Sequence, residues 1–509
     1  MTDGGRTVSQ PRGDHDSRRP GGHRGGASRR PGNKPTGDPR LVAYDVTARV
    51  SATDSFSNLL LPKALAAAGM DSRGNAFATQ IVYGTQRWRG LLDAVIEAAA
   101  KRPVTAIDAR SLDVLRVGAY QALFMNVADH AAVSQTVDLA RRRAGSRSAG
   151  FVNAVMRRIV ARGLKEWQSV VVSRIGKDQP ARRLAVRYSH PQWIVEELTH
   201  AWRAAGYAGA GEPGDAAVEA MLAADNDEPD VTLVARPGLV DRDELIAQLP
   251  KSARYENGRW SPYAIRVHGV NPERVDAVRQ AKAGVEDEGS QLAALALADA
   301  PMAIGDDSAN GEAWLDMCAG PGGKTALLAA LAAVRGATLT ANEPSHHRAE
   351  LVRDNTKALP DDVMLDVLEE DGRAIGPAHP GRFDRILVDA PCSGLGSLRR
   401  RPEARWRKKP EDLTELAGIQ RGLLESAMQA VRVGGVIAYV TCSPALAETR
   451  DIVDAVLDGR DDAERLDAAA VLRGVSPDMP LPEHGGDVQL FEHLHGTDQM
   501  FISLIRRTK

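Results

Sequence analysis

The chain has no run of about eighteen apolar residues, so no helix in it is expected to span a membrane. Its first residues lack the apolar centre of a secretory signal, and a cytoplasmic protein is expected. Neither sign of charge is in excess, with 65 Lys and Arg against 67 Asp and Glu. A surface for a polyanion would therefore have to come from local clustering. Cysteine is scarce. Cys318, Cys392 and Cys442 are odd in number and widely spaced, which excludes a disulfide framework. With no Cys-x-x-Cys and no clustered His and Cys, no metal site is expected.

A length of 509 residues has room for roughly three domains at about 150 residues each. Residues 1–38 are rich in Gly, Arg, Ser and Pro and cannot bury enough apolar surface to fold, so they read as a disordered basic tail. Residues 39–175 carry apolar stripes at helical spacing: Phe77, Ile81, Trp88, Leu92 and Val95; Leu112, Leu115, Ala119 and Leu123; Val152, Val155, Met156 and Ile159. This segment is expected to be all-α. Residues 176–285 mix a helix at 194–202 with short strands at 231–234 and 264–267, a small α/β connecting domain. In residues 286–509, apolar strands at 314–317, 337–341, 363–367, 385–388 and 436–440 alternate with helical stretches. That alternation predicts a parallel, doubly wound, Rossmann-like sheet, with ligands at the carboxyl ends of its strands.

The segment Asp316-Met317-Cys318-Ala319-Gly320-Pro321-Gly322-Gly323-Lys324-Thr325 joins one predicted strand to a helix. Glycines allow a ligand close to the backbone, and the helix start offers free N–H groups. Gly323-Lys324-Thr325 matches the end of a P-loop, but the required glycine five residues earlier is Cys318. The dinucleotide fingerprint fails as well, because its third glycine falls on Thr325. A cofactor with a ribose and no phosphate remains. Glu343 ends the next strand, where an acid accepts hydrogen bonds from ribose hydroxyls. Asp371 follows the third strand, where an acid can meet an adenine amino group, and Asp389 ends the fourth. Together with Asp316 they form an ordered set of strand-end acids that points to S-adenosylmethionine.

Asp389-Ala390-Pro391-Cys392-Ser393-Gly394 and Thr441-Cys442-Ser443-Pro444 each follow a strand, at the same sheet edge as the glycine loop. Two cysteines beside a methyl donor suit methylation of a pyrimidine C5. A thiolate adding to C6 makes C5 nucleophilic. An acid near N3, for which Asp389 is placed, stabilises the anion that forms.

These motifs resemble those of the Nol/Nop/Sun class of RNA 5-methylcytosine methyltransferases, over nearly all of residues 280–509. The resemblance implies that Cys442 is the nucleophile and that Cys392 assists product release. It also implies that Cys318, Ala319, Gly320, Pro321, Gly322, Gly323 and Lys324, with Glu343, Asp371 and Asp389, line the cofactor pocket. Reasoning from the residues alone does not rank the two cysteines. Tyr83-Gly84-Thr85-Gln86-Arg87-Trp88, His130-Ala131-Ala132-Val133 and Phe151-Val152-Asn153-Ala154-Val155-Met156-Arg157 resemble the NusB-type RNA-binding fold. This fusion is similar to bacterial methyltransferases of 16S (small-subunit) ribosomal RNA, which makes that RNA the expected partner and a monomer sufficient. The family pattern more usually has Ala-Ala where Ala319-Gly320 stands, and the tail and the insertion near 305–311 are extra.

The densest basic run, Leu398-Arg399-Arg400-Arg401-Pro402-Glu403-Ala404-Arg405-Trp406-Arg407-Lys408-Lys409, follows the Cys392 motif and contains an aromatic. Arginines and Trp406 could grip phosphates and stack on bases, so RNA contact is expected there. Arg141 to Arg143 and Arg157-Arg158 are weaker candidates. The competing reading is a non-catalytic NusB-type RNA-binding assembly factor with a vestigial sheet domain, against which the intact cysteines and acids stand.

Overall fold

The computed structural model describes residues 37–53, 55–207, 214–303, 311–483 and 486–509. All but the last two residues of the expected tail lie outside the described residues, as does most of the insertion at 305–311.

The helical region opens with Pro39–Ala52, Ser57–Ala68, Ser72–Arg87 and Arg89–Ala100, and continues through Ala109–Phe124, Asp129–Arg143, Ser146–Val160 and Leu164–Val172. Three starts are capped by the aspartate just before them. Asp38 accepts from Arg40 N, Asp71 from Gly74 N and Asp108 from Ser111 N, which satisfies donors the first turn would otherwise leave open. Ile81, Leu92, Val95, Leu115, Val152, Met156 and Ile159 are fully or almost fully buried in one core. The stripe from Phe77 to Val95 covers two helices, which turn at Trp88. The period survives this corner because Trp88 itself packs inward, stacked on Phe124 at 4.6 Å between ring centroids. At Gly84 the helix Ser72–Arg87 crosses Ala109–Phe124 so closely that a Cβ would lie 1.8 Å from Tyr120 Cζ.

The helices Gln192–Ala204 and Gly214–Ala224 pack with Leu395, Leu398 and Phe491 of the C-terminal region. A small antiparallel sheet follows. It is built from β1 (Val231–Ala235), β2 (Arg254–Asn257), β3 (Ala264–His268) and β4 (Ala283–Val285), in the order β2-β3-β1-β4. Two of these strands escaped the sequence pattern. β2 is exposed along its whole length and so has no apolar alternation, and β4 is only three residues long.

The large sheet holds β5 (Ala313–Asp316), β6 (Thr338–Asn342), β7 (Met364–Leu368), β8 (Phe383–Asp389) and β9 (Val431–Thr441), all parallel. It continues with β10 (Ala463–Leu466), β11 (Val488–Gln489) and β12 (Phe501–Arg507) in the order β10-β12-β9-β8-β5-β6-β7, with β11 beside β12. The five parallel strands form the expected doubly wound core, to which an antiparallel margin is added: β12 runs antiparallel to β9, and β10 and β11 run antiparallel to β12. Helices cover both faces, so Leu315, Leu387 and the run Val436 to Val440 are buried throughout, the mark of parallel strands enclosed on two sides. The chain reverses between β8 and β5, where strand order switches, and this is where such sheets open a crevice. Among the described residues no helix is long and apolar enough to cross a membrane.

Candidate active site

The loop after β5 is fastened on three sides. Ala319 N donates to Asn342 O (2.9 Å) and Gly320 N to Glu343 Oε2 (3.1 Å), the last residue of the neighbouring strand β6 and the one after it. Gly322 closes a turn onto Ala319 O at 2.7 Å and has a φ of +106°, a conformation that favours glycine. Gly320 is required for space: a Cβ there would lie 2.2 Å from Glu343 Oε2. The helix Gly323–Arg335 then starts under the loop. Thr325 Oγ1 donates to Asp316 Oδ2 (2.7 Å), while Asp316 Oδ1 is buried without a partner. Burial pushes the Asp316 carboxyl up to about 7.

Lys324 reaches across to the next strand, where its Nζ donates to Asp389 Oδ2 at 2.9 Å. Burial alone would lower the Lys324 ammonium, but Asp389 and Glu286 outweigh it and the ammonium is held above its ordinary value. Glu343 is buried and accepts from Gly320 N and Ser345 N, with Arg348 3.4 Å away. Asp371 differs from the other acids. It is half exposed, caps the helix Gly372–Ala378 and pairs with Arg373 at 2.6 Å.

The cysteine loops follow β8 and β9, which are adjacent. Cys392 Sγ and Cys442 Sγ are 3.3 Å apart although 50 residues separate them in the chain. With Cys392 as donor, this hydrogen bond holds the Cys442 thiol below its ordinary value and, with burial, Cys392 well above its own. Burial opposes the fall at Cys442, and Lys324 assists it. Cys318, on the β5 loop, is pushed up by burial and by Asp316, Asp389 and Glu343. Of the two sulfurs, Cys442 is the one on which the Lys324 ammonium acts, a difference the sequence could not supply.

Residues 304–506 match the family described as 16S rRNA methyltransferase RsmB/F, and residues 38–161 match the NusB family. The Mycobacterium tuberculosis protein Rv1407, named as a methyltransferase, is 46% identical over 94% of this chain and 99% of its own. Ribosomal RNA small subunit methyltransferase B of Pseudomonas putida is 30% identical over 88% of this chain and 96% of its own. The chain belongs to this RsmB/F methyltransferase family. The methyl donor of such an enzyme is S-adenosylmethionine. The fold is shared with the crystal structure of PH0851, which covers 92% of this chain with a TM-score of 0.71 at 21% identity.

In this methyltransferase five residues of the basic run after Cys392 are engaged within the protein, while Arg401 and Lys409 stay exposed. Arg399 pairs with Asp287 (3.1 Å), Glu492 (3.0 Å) and Asp498 (3.2 Å), and Arg400 pairs with Asp498 (2.9 Å) and Asp287. Arg405 is fully buried and donates to Ser189 O (3.1 Å), Asn226 Oδ1 (2.9 Å) and Asp225 O (3.2 Å). Trp406 Nε1 donates to Gln86 O (2.9 Å), and Arg407 donates to Val50 O (2.9 Å) and Ser55 O (2.6 Å). The run clamps the helical region to the catalytic one. Its acidic and carbonyl partners lie far away in the chain, up to 357 residues for Val50, so a local count of charges could not find them.

Two buried acids at the site also escaped the sequence reading. Glu286, just beyond β4, lies 3.8 Å from where a Gly323 Cβ would stand. Its two carboxylate oxygens are buried and unpartnered, and burial pushes it up to about 7. Glu448, six residues past Cys442, is fully buried beneath the cysteine loops. Their signal was an acid beside a motif, with nothing in the pattern to set it apart from a solvated residue.

Proposed function

We propose that this methyltransferase adds a methyl group to C5 of a cytosine in small-subunit ribosomal RNA, through a covalent bond between Cys442 and C6 of the base. The observation that carries the reading is the 3.3 Å approach of two free sulfurs at adjacent strand ends, next to the Lys324–Asp389 pair. The substrate follows the name of the Pseudomonas putida relative, a ribosomal RNA small subunit methyltransferase B. The base must be unpaired or flipped out to reach these loops.

Cys318 to Lys324, Glu343, Asp371 and Asp389 are assigned to the S-adenosylmethionine pocket, with Glu343 toward the ribose and Asp371 toward the adenine. The fit rests on unpartnered buried acceptors. Asp316 Oδ1 and both oxygens of Glu286 border the loop and call for donors or cations, and the cofactor's ammonium, sulfonium and ribose hydroxyls are such groups. When bound, S-adenosylmethionine supplies an electrophilic methyl group.

The Cys442 thiolate adds to C6, and the C5=C6 electron pair becomes available at C5 for bond formation to that methyl group. Lys324 steadies the negative charge that develops on the ring, and Asp389 holds its ammonium in place. The C5 proton then passes to a base, for which Asp389 is placed. As the C5–H pair re-forms the C5=C6 bond, the Cys442–C6 bond breaks. Cys392, which holds a proton 3.3 Å away, returns it to the departing sulfur. Purified protein with labelled methyl donor and unmodified small-subunit rRNA should yield 5-methylcytosine, and Cys442→Ala should yield none. 5-Methylcytosine formed by Cys442→Ala would remove the covalent mechanism.

A further inference from the structure

Below the two sulfurs lies a polar cluster that the methylation chemistry does not use. Glu448 Oε1 accepts from Ser393 N (2.7 Å) and Gln420 Nε2 (3.2 Å), and Glu448 Oε2 accepts from Ser393 Oγ. Ser393 Oγ is 3.2 Å from Ser443 Oγ, and Ser443 Oγ accepts from Ala445 N at 3.2 Å. Gln420 Nε2 also donates to Pro391 O (2.9 Å), and Tyr439 OH donates to Glu448 O (2.9 Å). Ser393 and Ser443 are the residues that follow the two cysteines, so one carboxylate ties both loops together from below. Glu448, Ser393, Ser443 and Gln420 are all buried. A charge in such a place is retained only when its bonds are made, which gives the cluster one arrangement and the sulfurs one separation.

The cluster is also lopsided. Glu448, on the segment that follows Cys442, bonds with its side chain the backbone and the hydroxyl of the residue next to Cys392, and the side-chain link to Ser443 runs through Ser393 Oγ. Among the largest charges acting on the pair, the cation Lys324 acts on the Cys442 side. Asp389 faces both sulfurs, Asp498 faces Cys442 and Glu448 faces Cys392. We propose that Glu448 is a positioning residue for the sulfur pair. By clamping the two loops and setting its carboxylate on the Cys392 side, it keeps the shared proton on Cys392 and leaves Cys442 as the thiolate.

The proposal rests on Cys442 being the nucleophile, and it is tested without RNA or methyl donor. The full-length protein is treated with iodoacetamide at a series of pH values, and labelling of the Cys392 and Cys442 peptides is followed separately by mass spectrometry. In the unaltered protein Cys442 should react first at neutral pH. Glu448→Gln keeps the size of the side chain and removes its charge. It should lower the Cys442-to-Cys392 labelling ratio by roughly tenfold, the effect of a one-unit move in thiolate pKa, and displace the two pH profiles toward each other. Ser393→Ala, which cuts the hydroxyl link and spares both sulfurs, should act in the same direction and carries the test if Glu448→Gln does not fold. An unchanged ratio and unchanged profiles in a folded variant overturn the role of Glu448 alone. Preferential labelling of Cys392 in the unaltered protein overturns both this role and the assignment of the nucleophile.

Discussion

Arg405→Met separates the two accounts of the basic run. Arg405 is fully buried, and its three shortest hydrogen bonds, at 2.9 to 3.2 Å, go to acceptors outside the catalytic sheet. Burial pushes its guanidinium down to about 10, so it still carries its charge at neutral pH. The buried carboxylate of Asp225 lies in its field, 3.4 Å from a buried His190 that burial pushes down to about 4. His190 is therefore a poor substitute cation. Met fills much of the arginine stem and removes the charge, leaving Asp225 and two backbone carbonyls without it. Removing one member of a buried charged pair costs about 3–5 kcal/mol. For a cooperative unit of about 150–250 residues, each kcal/mol moves the melting midpoint by about 2–4 °C, so a fall of about 6–20 °C is expected by differential scanning calorimetry. The affinity for single-stranded RNA, measured across a salt series with folded protein, should keep its slope. A residue on a phosphate would reduce that slope by about 0.7. An unchanged melting midpoint with a shallower salt slope would refute the clamp and restore the RNA reading.

Cys392→Ala should leave adduct formation intact and slow release, so protein should accumulate covalently bound to RNA on a denaturing gel; free turnover at the unaltered rate contradicts its assigned role. Gly84→Ala should destabilise the helical region by about 1–3 kcal/mol, seen as a lower urea midpoint, because the added Cβ would lie 1.8 Å from Tyr120 Cζ in a packed crossing. Glu286→Gln should flatten the dependence of stability on pH. The folded carboxyl is raised to about 7 from 4.5, so its contribution is present in full below the unfolded value and lost as pH rises through the folded one. The loss is about 3 kcal/mol by pH 8, at 1.36 kcal/mol per unit. Urea midpoints of the variant and the unaltered protein that run parallel between pH 5 and pH 8 would contradict this.

The parallel core of the large sheet was legible because each enclosed strand carries a short run rich in apolar residues. The strands β5, β6, β7, β8 and β9 each overlap the run that pointed to them. The antiparallel margin was not. β10 is half-buried along its length, β11 has two residues, and β12 follows a stretch with no intervening helix of ordinary length, so none continues the alternation. Glu343, Asp389 and the glycine loop could be placed because strand ends impose a geometry that the sequence order preserves. The separation of the sulfurs could not, since it depends on β8 and β9 being neighbours and on Glu448 beneath both loops.

The basic run failed as a guide for a reason that bears on the whole chain. A near-zero net charge is usually read as an absence of polyanion-binding surface, and a dense basic run as the exception to it. Here the two facts have one cause. Arg399 and Arg400 meet Asp287, Asp498 and Glu492, so these cations and anions neutralise one another in a largely buried cluster. Charges spent in this way add nothing to a surface potential. Asp287 follows the buried Glu286 on the segment after β4, and Asp498 acts on Cys442, so these pairs within the catalytic region lie among the charges around the sulfurs.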